Sequence, residues 1–138
     1  RIVEIFRDAG RLKDLVLYAC TSGYPIQPEE ACLLEISRLI EAYGDDVADV
    51  GYSGHHNGIA IDIAAFTLGA NFIERHFTLD RTWKGTDHAA SLESDGMRRL
   101  NRNLHYTSQA LQPKPSEILP IEESQRTKLK WDKQETVS

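Results

Sequence analysis

Three clusters of polar side chains have types and spacings that can do chemistry. The first holds Thr21, Ser22 and Tyr24, the second Ser53, His55 and His56, and the third Glu74, Arg75, His76 and Thr78. Asp87 and His88 follow in the loop after the third. Imidazole suits several transition metals, and a site built on two of them leaves positions open for water and a substrate oxygen. A lone histidine is more often a hydrogen-bonded structural residue. Two of them, with a serine beside one and a carboxylate near the other, point to His55 and His76 as ligands of a catalytic metal.

Positioning such groups falls to short strands alternating with helices. Residues 15–20, 47–52 and 71–77 read as three apolar strands, and each polar cluster lies at or beyond a carboxyl end. Ile2, Val3, Ile5 and Phe6 read as the end of a helix closing at Gly10. A second helix starts near Pro28, with Ile36, Leu39, Ile40 and Tyr43 on one stripe and Gly44 as its stop. Ile59, Ile63 and Phe66 mark a third, ending at Gly69; Ser94 is the expected N-cap of a fourth, which aligns Met97, Leu100 and Leu104.

This alternation predicts βαβ units, a parallel sheet and an α/β fold, with active residues gathered at the carboxyl ends of the strands. Period-two geometry sends Ser53 and His55 to one side, and Glu74 and His76 likewise. Adjacent strands lie about 4.8 Å apart. Two imidazoles at one sheet end can therefore share a metal at about 2 Å per bond. Glu74 and Arg75 read as a structural pair. His56 reads as a spare ligand or an exposed residue, and His88 as a proton shuttle or a solvated loop residue.

The 138 residues carry a formal charge of −5 and are 41% hydrophobic and 27% charged, which is ordinary for a globular domain. The acidic balance argues against a nucleic-acid or anionic-membrane partner. No apolar run reaches the roughly 20 residues of a membrane span. Cys20 and Cys32, without CxxC spacing, are expected to be reduced core thiols. With no signal-peptide pattern, a cytoplasmic location is the default expectation. From Gln112 the chain turns charged, broken by Pro113 and Pro115, so residues 112–138 are expected to form an extended or helical tail. Ile118, Leu119, Ile121, Leu129 and Trp131 are available in it to dock.

At these same clusters the sequence resembles the N-acetylneuraminate (sialic acid) synthase family, which includes the legionaminic and pseudaminic acid synthases. The resemblance rests on four segments. They are Cys20-Thr21-Ser22-Gly23-Tyr24-Pro25, Gly51-Tyr52-Ser53-Gly54-His55, Ile73-Glu74-Arg75-His76-Phe77-Thr78-Leu79-Asp80, and Gly85-Thr86-Asp87-His88-Ala89-Ala90-Ser91-Leu92-Glu93. It implies a partial (β/α)8 TIM barrel over residues 1–111: about the last three βα units, with an extra N-terminal helix and a C-terminal tail.

The implied reaction condenses phosphoenolpyruvate with an N-acylated hexosamine, N-acetylmannosamine or a relative, to give a nonulosonic acid and phosphate. By this resemblance His55 and His76 bind a divalent ion, Mn²⁺ first and Mg²⁺ or Co²⁺ as alternatives. Ser22 and Ser53 donate to phosphoenolpyruvate, Tyr24 and Asp87 hold the sugar, and Asp87 joins the two histidines as a catalytic residue.

The pattern departs from the family where Ala19 replaces a usual histidine and Gly54 a usual aspartate; Ser22 and His56 stand where asparagine and threonine are common. Loss of the acidic group at Gly54 is expected to remove a partner that orients a metal-binding imidazole. About three of eight strands are present, so the phosphoenolpyruvate lysine and further hydroxyl donors are expected upstream. Open sheet edges and an uncovered interior predict a homo-oligomer, or pairing with the complementary half-barrel. A second reading is a non-catalytic assembly module derived from the same scaffold.

Overall fold

The computed structural model describes residues 1–129. In chain order the elements are α1 (Ile2–Asp8), β1 (Val16–Cys20), α2 (Leu34–Tyr43), β2 (Asp49–Gly54), α3 (Ala60–Thr67), β3 (Phe72–Arg75), α4 (Ser94–Ala110) and α5 (Pro120–Leu129). The three strands form one parallel sheet in the order β1-β2-β3. The expected alternation is therefore present, as is the α/β class.

Register makes the two faces unlike. Ala19, Tyr52 and Ile73 align across the sheet, as do Gly54 and Arg75. These rows face α2 and α3, where Ala19, Ile36, Val50, Tyr52, Ala65 and Ala70 form the core. The alternate rows, Tyr18–Gly51–Phe72 and Cys20–Ser53–Glu74, lie on the other face. No described helix covers that face, and Tyr18 and Phe72 are 38% and 47% exposed on it. Gly51 leaves room there: a Cβ would stand 2.6 Å from the Tyr18 ring.

Several boundaries differ from expectation. β2 runs two residues later than its apolar content suggests. Val47 is buried, but its N–H bonds the Tyr43 carbonyl at the end of α2, outside the ladder. Ser53 and Gly54, small and polar, are paired with Glu74 and Arg75. The helix expected from Pro28 is split: a 3-10 turn, Pro28–Ala31, ends at Cys32 in the left-handed region (φ 46°), and α2 begins at Leu34. Ser94 opens α4 but is not its N-cap; Glu93 occupies that position without a side-chain cap bond. The α4 stripe stands as expected, with Leu100 buried.

Both cysteines are free, as expected, but neither is a core thiol: Cys20 lies on the uncovered face, Cys32 at the broken turn, and both are exposed. The tail is helical over α5, which buries none of its residues; Ile121 and Leu129 are both 79% exposed, so they do not dock. Trp131 lies outside the described residues. Among these, no helix is long and apolar enough to cross a membrane.

Candidate functional site

His55 and His76 each sit one residue past the end of a strand, and the backbone carries the ladder on to hold them. The His55 carbonyl accepts the Ile26 N–H at 3.1 Å, and the His76 carbonyl accepts the Leu92 N–H at 2.8 Å. Two loops are thereby stitched onto the sheet end, the segment after β1 to the exit of β2 and the segment before α4 to the exit of β3. The expected parity holds, and the two imidazoles meet edge to face with centroids 5.0 Å apart. Tyr24, delivered by the first loop, lies against both, 4.5 Å from His55 and 5.6 Å from His76.

The ring nitrogens are differentiated by their partners. His55 Nδ1 is 2.9 Å from the Thr21 carbonyl. A carbonyl only accepts, so Nδ1 carries the hydrogen and the neutral ring keeps its lone pair on Nε2. His76 Nδ1 faces a carboxylate at longer range, 3.5 Å from Asp87 Oδ2. Neither Nε2 has a hydrogen bond among the described residues. His55 is buried and His76 is 31% exposed at its side chain, opening onto a cleft of about 430 Å³ lined also by Gly85, Thr86, Asp87, His88 and Ser91.

This donor set fits a divalent ion: two imidazoles with open Nε2 atoms, one with Nδ1 bonded to a carbonyl and the other with Nδ1 facing a carboxylate, follow the way proteins orient histidine ligands. Among the described residues no group of three or more His, Cys, Asp or Glu side chains gathers into a fuller ligand set. His55 is oriented by the Thr21 carbonyl, so it does not depend on an acid at position 54.

The other expected residues divide. The Ser22 hydroxyl makes no bond to the described residues and is exposed, as a donor to a substrate must be. Ser53 donates to Glu74 Oε1 at 2.8 Å. Asp87 accepts from Thr86 Oγ1 through Oδ1 while Oδ2 faces His76. His88 Nδ1 is 2.8 Å from Thr78 Oγ1, whose hydroxyl donates to the Asp80 carbonyl; Nδ1 therefore donates, and His88 is a fixed member of the loop.

His56 corrects both of its expectations: it is neither a spare ligand nor exposed, but buried on the opposite face. There Arg75 uses four of its five N–H groups. One terminal nitrogen donates to Asp62 Oδ2 at 2.6 Å and the Gly58 carbonyl at 2.9 Å, the other to the carbonyls of His56 at 2.7 Å and Ala90 at 3.2 Å. The two shorter contacts take both hydrogens of the first nitrogen. His56 Nε2 lies 3.2 Å from that same nitrogen and 3.3 Å from Asp62 Oδ2. Tyr52 closes the cluster, its hydroxyl 3.4 Å from His56 Nδ1. Burial, reinforced by the nearby Asp62 carboxylate, pushes the Tyr52 phenol up to about 12. Asp62 had no place in the expectations.

The NeuB family model matches residues 1–115. The chain belongs to the NeuB family. It is 47% identical over 110 residues to the N-acetylneuraminate-9-phosphate synthase of Mus musculus, and 46% identical over 110 residues to that of Homo sapiens. In each case the match covers 80% of this chain and 30% of the relative, so the chain spans about a third of these relatives' length. Among solved structures it superposes on an N-acetylneuraminic acid (sialic acid) synthetase from Leptospira borgpetersenii serovar Hardjo-bovis, in complex with citrate. That match has a TM-score of 0.74 at 31% identity, over 92% of this chain and 44% of the other. The parallel sheet and its helices are thus those of a NeuB protein.

Proposed function

We propose that this chain supplies the last three βα units of a (β/α)8 barrel, and with them the metal-binding, sugar-facing side of a nonulosonic acid synthase. In this reading the uncovered face bearing Tyr18 and Phe72 lines the interior of the closed barrel. The remaining strands come from a longer chain, a second copy or a complementary half. The enzyme condenses phosphoenolpyruvate with an N-acylated hexosamine and releases phosphate. The observation that supports this best is the convergence of His55 and His76 at the carboxyl end of the sheet, both Nε2 atoms open, the His55 Nδ1 bonded to the Thr21 carbonyl and the His76 Nδ1 facing Asp87.

His55 and His76 would hold a divalent ion, Mn²⁺ first with Mg²⁺ or Co²⁺ as alternatives, which would supply Lewis-acid polarisation of the sugar aldehyde. The Thr21 carbonyl keeps His55 in the ligating tautomer, and the Asp87 carboxylate beside Nδ1 favours the same tautomer of His76. The Tyr24 ring walls the site beside them, and its hydroxyl is free to meet a sugar hydroxyl. Ser22 offers its hydrogen to a phosphoenolpyruvate oxygen, whereas Ser53 does so only on release from Glu74. Asp87 uses Oδ1 toward the sugar while Oδ2 steers His76.

Joining three carbons to six makes carbon 9 of the product carbon 6 of the hexosamine. Because the mammalian relatives are named for a 9-phosphate product, the hexosamine 6-phosphate stands beside the free sugar as a substrate. We place the reaction in the cytoplasm.

Calorimetric titration of Mn²⁺ into the intact protein bearing this chain tests the reading. Binding is expected in the wild type and lost in both His55→Ala and His76→Ala, together with phosphate release from phosphoenolpyruvate in the presence of N-acetylmannosamine or its 6-phosphate. Metal binding indifferent to both substitutions overturns the assignment. A folded protein that binds the ion yet turns over neither sugar favours the assembly-module reading.

A further inference from the structure

We propose that Arg75, clamped by Asp62, is a positioning residue that fixes the two histidine-bearing loops from behind; the inference rests on the function proposed above. Arg75 is the chain neighbour of His76 but points to the helix side of the sheet, where its side chain is 1% exposed. Its guanidinium spans three segments from the buried side, while Arg81 bridges two of the same segments at the surface through Asn57 Oδ1 and the Ala89 carbonyl. It holds the His56 and Gly58 carbonyls, immediately after His55. It also holds the Ala90 carbonyl, on the turn that begins at Asp87. Asp62, fully buried on α3, fixes the guanidinium in turn. One rigid planar group therefore ties the exit of β2 to the loop that steers His76 through Asp87, a span no point charge covers.

The energetics favour positioning over stability as the purpose. Asp62 Oδ1 and Arg75 Nε are buried without a partner among the described residues. A buried ion pair that leaves polar atoms unsatisfied contributes little net stability compared with apolar residues of the same shape. Gly54 makes the arrangement sterically feasible: a Cβ there would stand 2.9 Å from Asp62 Oδ1 and 3.0 Å from the His56 ring. The carboxylate of Asp62 thus sits against the position where the family's usual aspartate would start. It acts on the backbone of the loops and not on the His55 ring, whose Nδ1 belongs to Thr21.

The test compares wild type, Arg75→Met and Arg75→Lys in the intact protein, with two readouts: Mn²⁺ affinity by electron paramagnetic resonance, and histidine tautomers in the metal-free protein by side-chain ¹⁵N–¹H correlation. Arg75→Met is expected to weaken Mn²⁺ binding tenfold or more, the range for partners that orient metal ligands. It should also shift the His76 tautomer balance away from the form that Asp87 favours. Arg75→Lys keeps a charge on Asp62 but cannot span both loops, and should fall between the two. A lower melting temperature with wild-type affinity and wild-type tautomers in both variants reduces Arg75 to a structural role and overturns the proposal. If Arg75→Met does not fold, Arg75→Lys decides, with affinity within threefold of wild type and unchanged tautomers counting against positioning. Should the wild type bind no Mn²⁺, the metal reading fails by itself, and the tautomers still decide whether Arg75 sets the loops.

Discussion

His55 and His56 are neighbours in the chain and end on opposite faces of one strand end. His55 shares its face with His76 and Tyr24, and its Nε2 meets no partner among the described residues. His56 faces α3, where Tyr52, Asp62 and Arg75 surround it and both ring nitrogens have partners. Glu74 and Arg75 divide in the same way: the carboxylate takes Ser53 on the uncovered face, and the guanidinium disappears beneath the sheet. The contrast teaches that burial and hydrogen bonding do not mark function here. The histidine with the richer set of partners is structural; the one with an unused lone pair can do chemistry.

The largest expected break in that contrast is Asp62→Ala. It removes one member of a fully buried pair and strands the Arg75 charge, which costs about 3–5 kcal/mol of stability. His76→Ala, half-open to the cleft and held by one long contact, should cost no more than about 1 kcal/mol. Chemical denaturation of both variants checks this, and equal losses would dissolve the distinction between the two faces.

Gly54→Ala sharpens the same contrast with a smaller effect. Its Cβ would meet the Tyr52 ring at 2.8 Å, Asp62 Oδ1 at 2.9 Å and the His56 ring at 3.0 Å, so the buried cluster must give way. Overpacking of this kind costs about 1–3 kcal/mol. Because Asp62 is one of the atoms in the way, Gly54→Ala and Asp62→Ala should be non-additive, the double variant losing less than the two single losses together. Additive losses would mean that the two positions do not meet.

Much of the uncovered face was legible in the sequence, because a strand period of two is rigid: once β2 and β3 were placed, Ser53 with His55 and Glu74 with His76 had to share a side. The buried face was not. α3 is apolar nearly all round, so periodicity did not select its inward stripe; Ile59, Ile63 and Phe66 were the expected set, whereas Asp62 and Ala65 are buried and Ile61 and Leu68 pack on the core. A signal existed in Asp62 itself, at i+3 from Ile59 and i−4 from Phe66, an acid inside an apolar helix that needs a cation. The loop contacts that orient the imidazoles were illegible for another reason. The Thr21 carbonyl is backbone, 34 residues from His55, and no residue type announces it.

The smallest expected effect is a pH limb that belongs to the buried face alone. Tyr52 is held neutral by burial and by the adjacent Asp62 carboxylate, which moves its folded pKa from 10.0 to about 12. The sign follows from linkage: the unfolded chain releases this proton first, so the contribution of Tyr52 is complete below about pH 10 and drains away as pH climbs toward about 12. Tyr52→Phe has no proton to lose. Its stability difference from the wild type should therefore shift in its favour between pH 9 and pH 11.5, while a His76→Ala control on the other face keeps a constant difference. Denaturation midpoints across that window make the measurement, and parallel curves for Tyr52→Phe and wild type would show that the phenol is not confined by Asp62 and the helix layer.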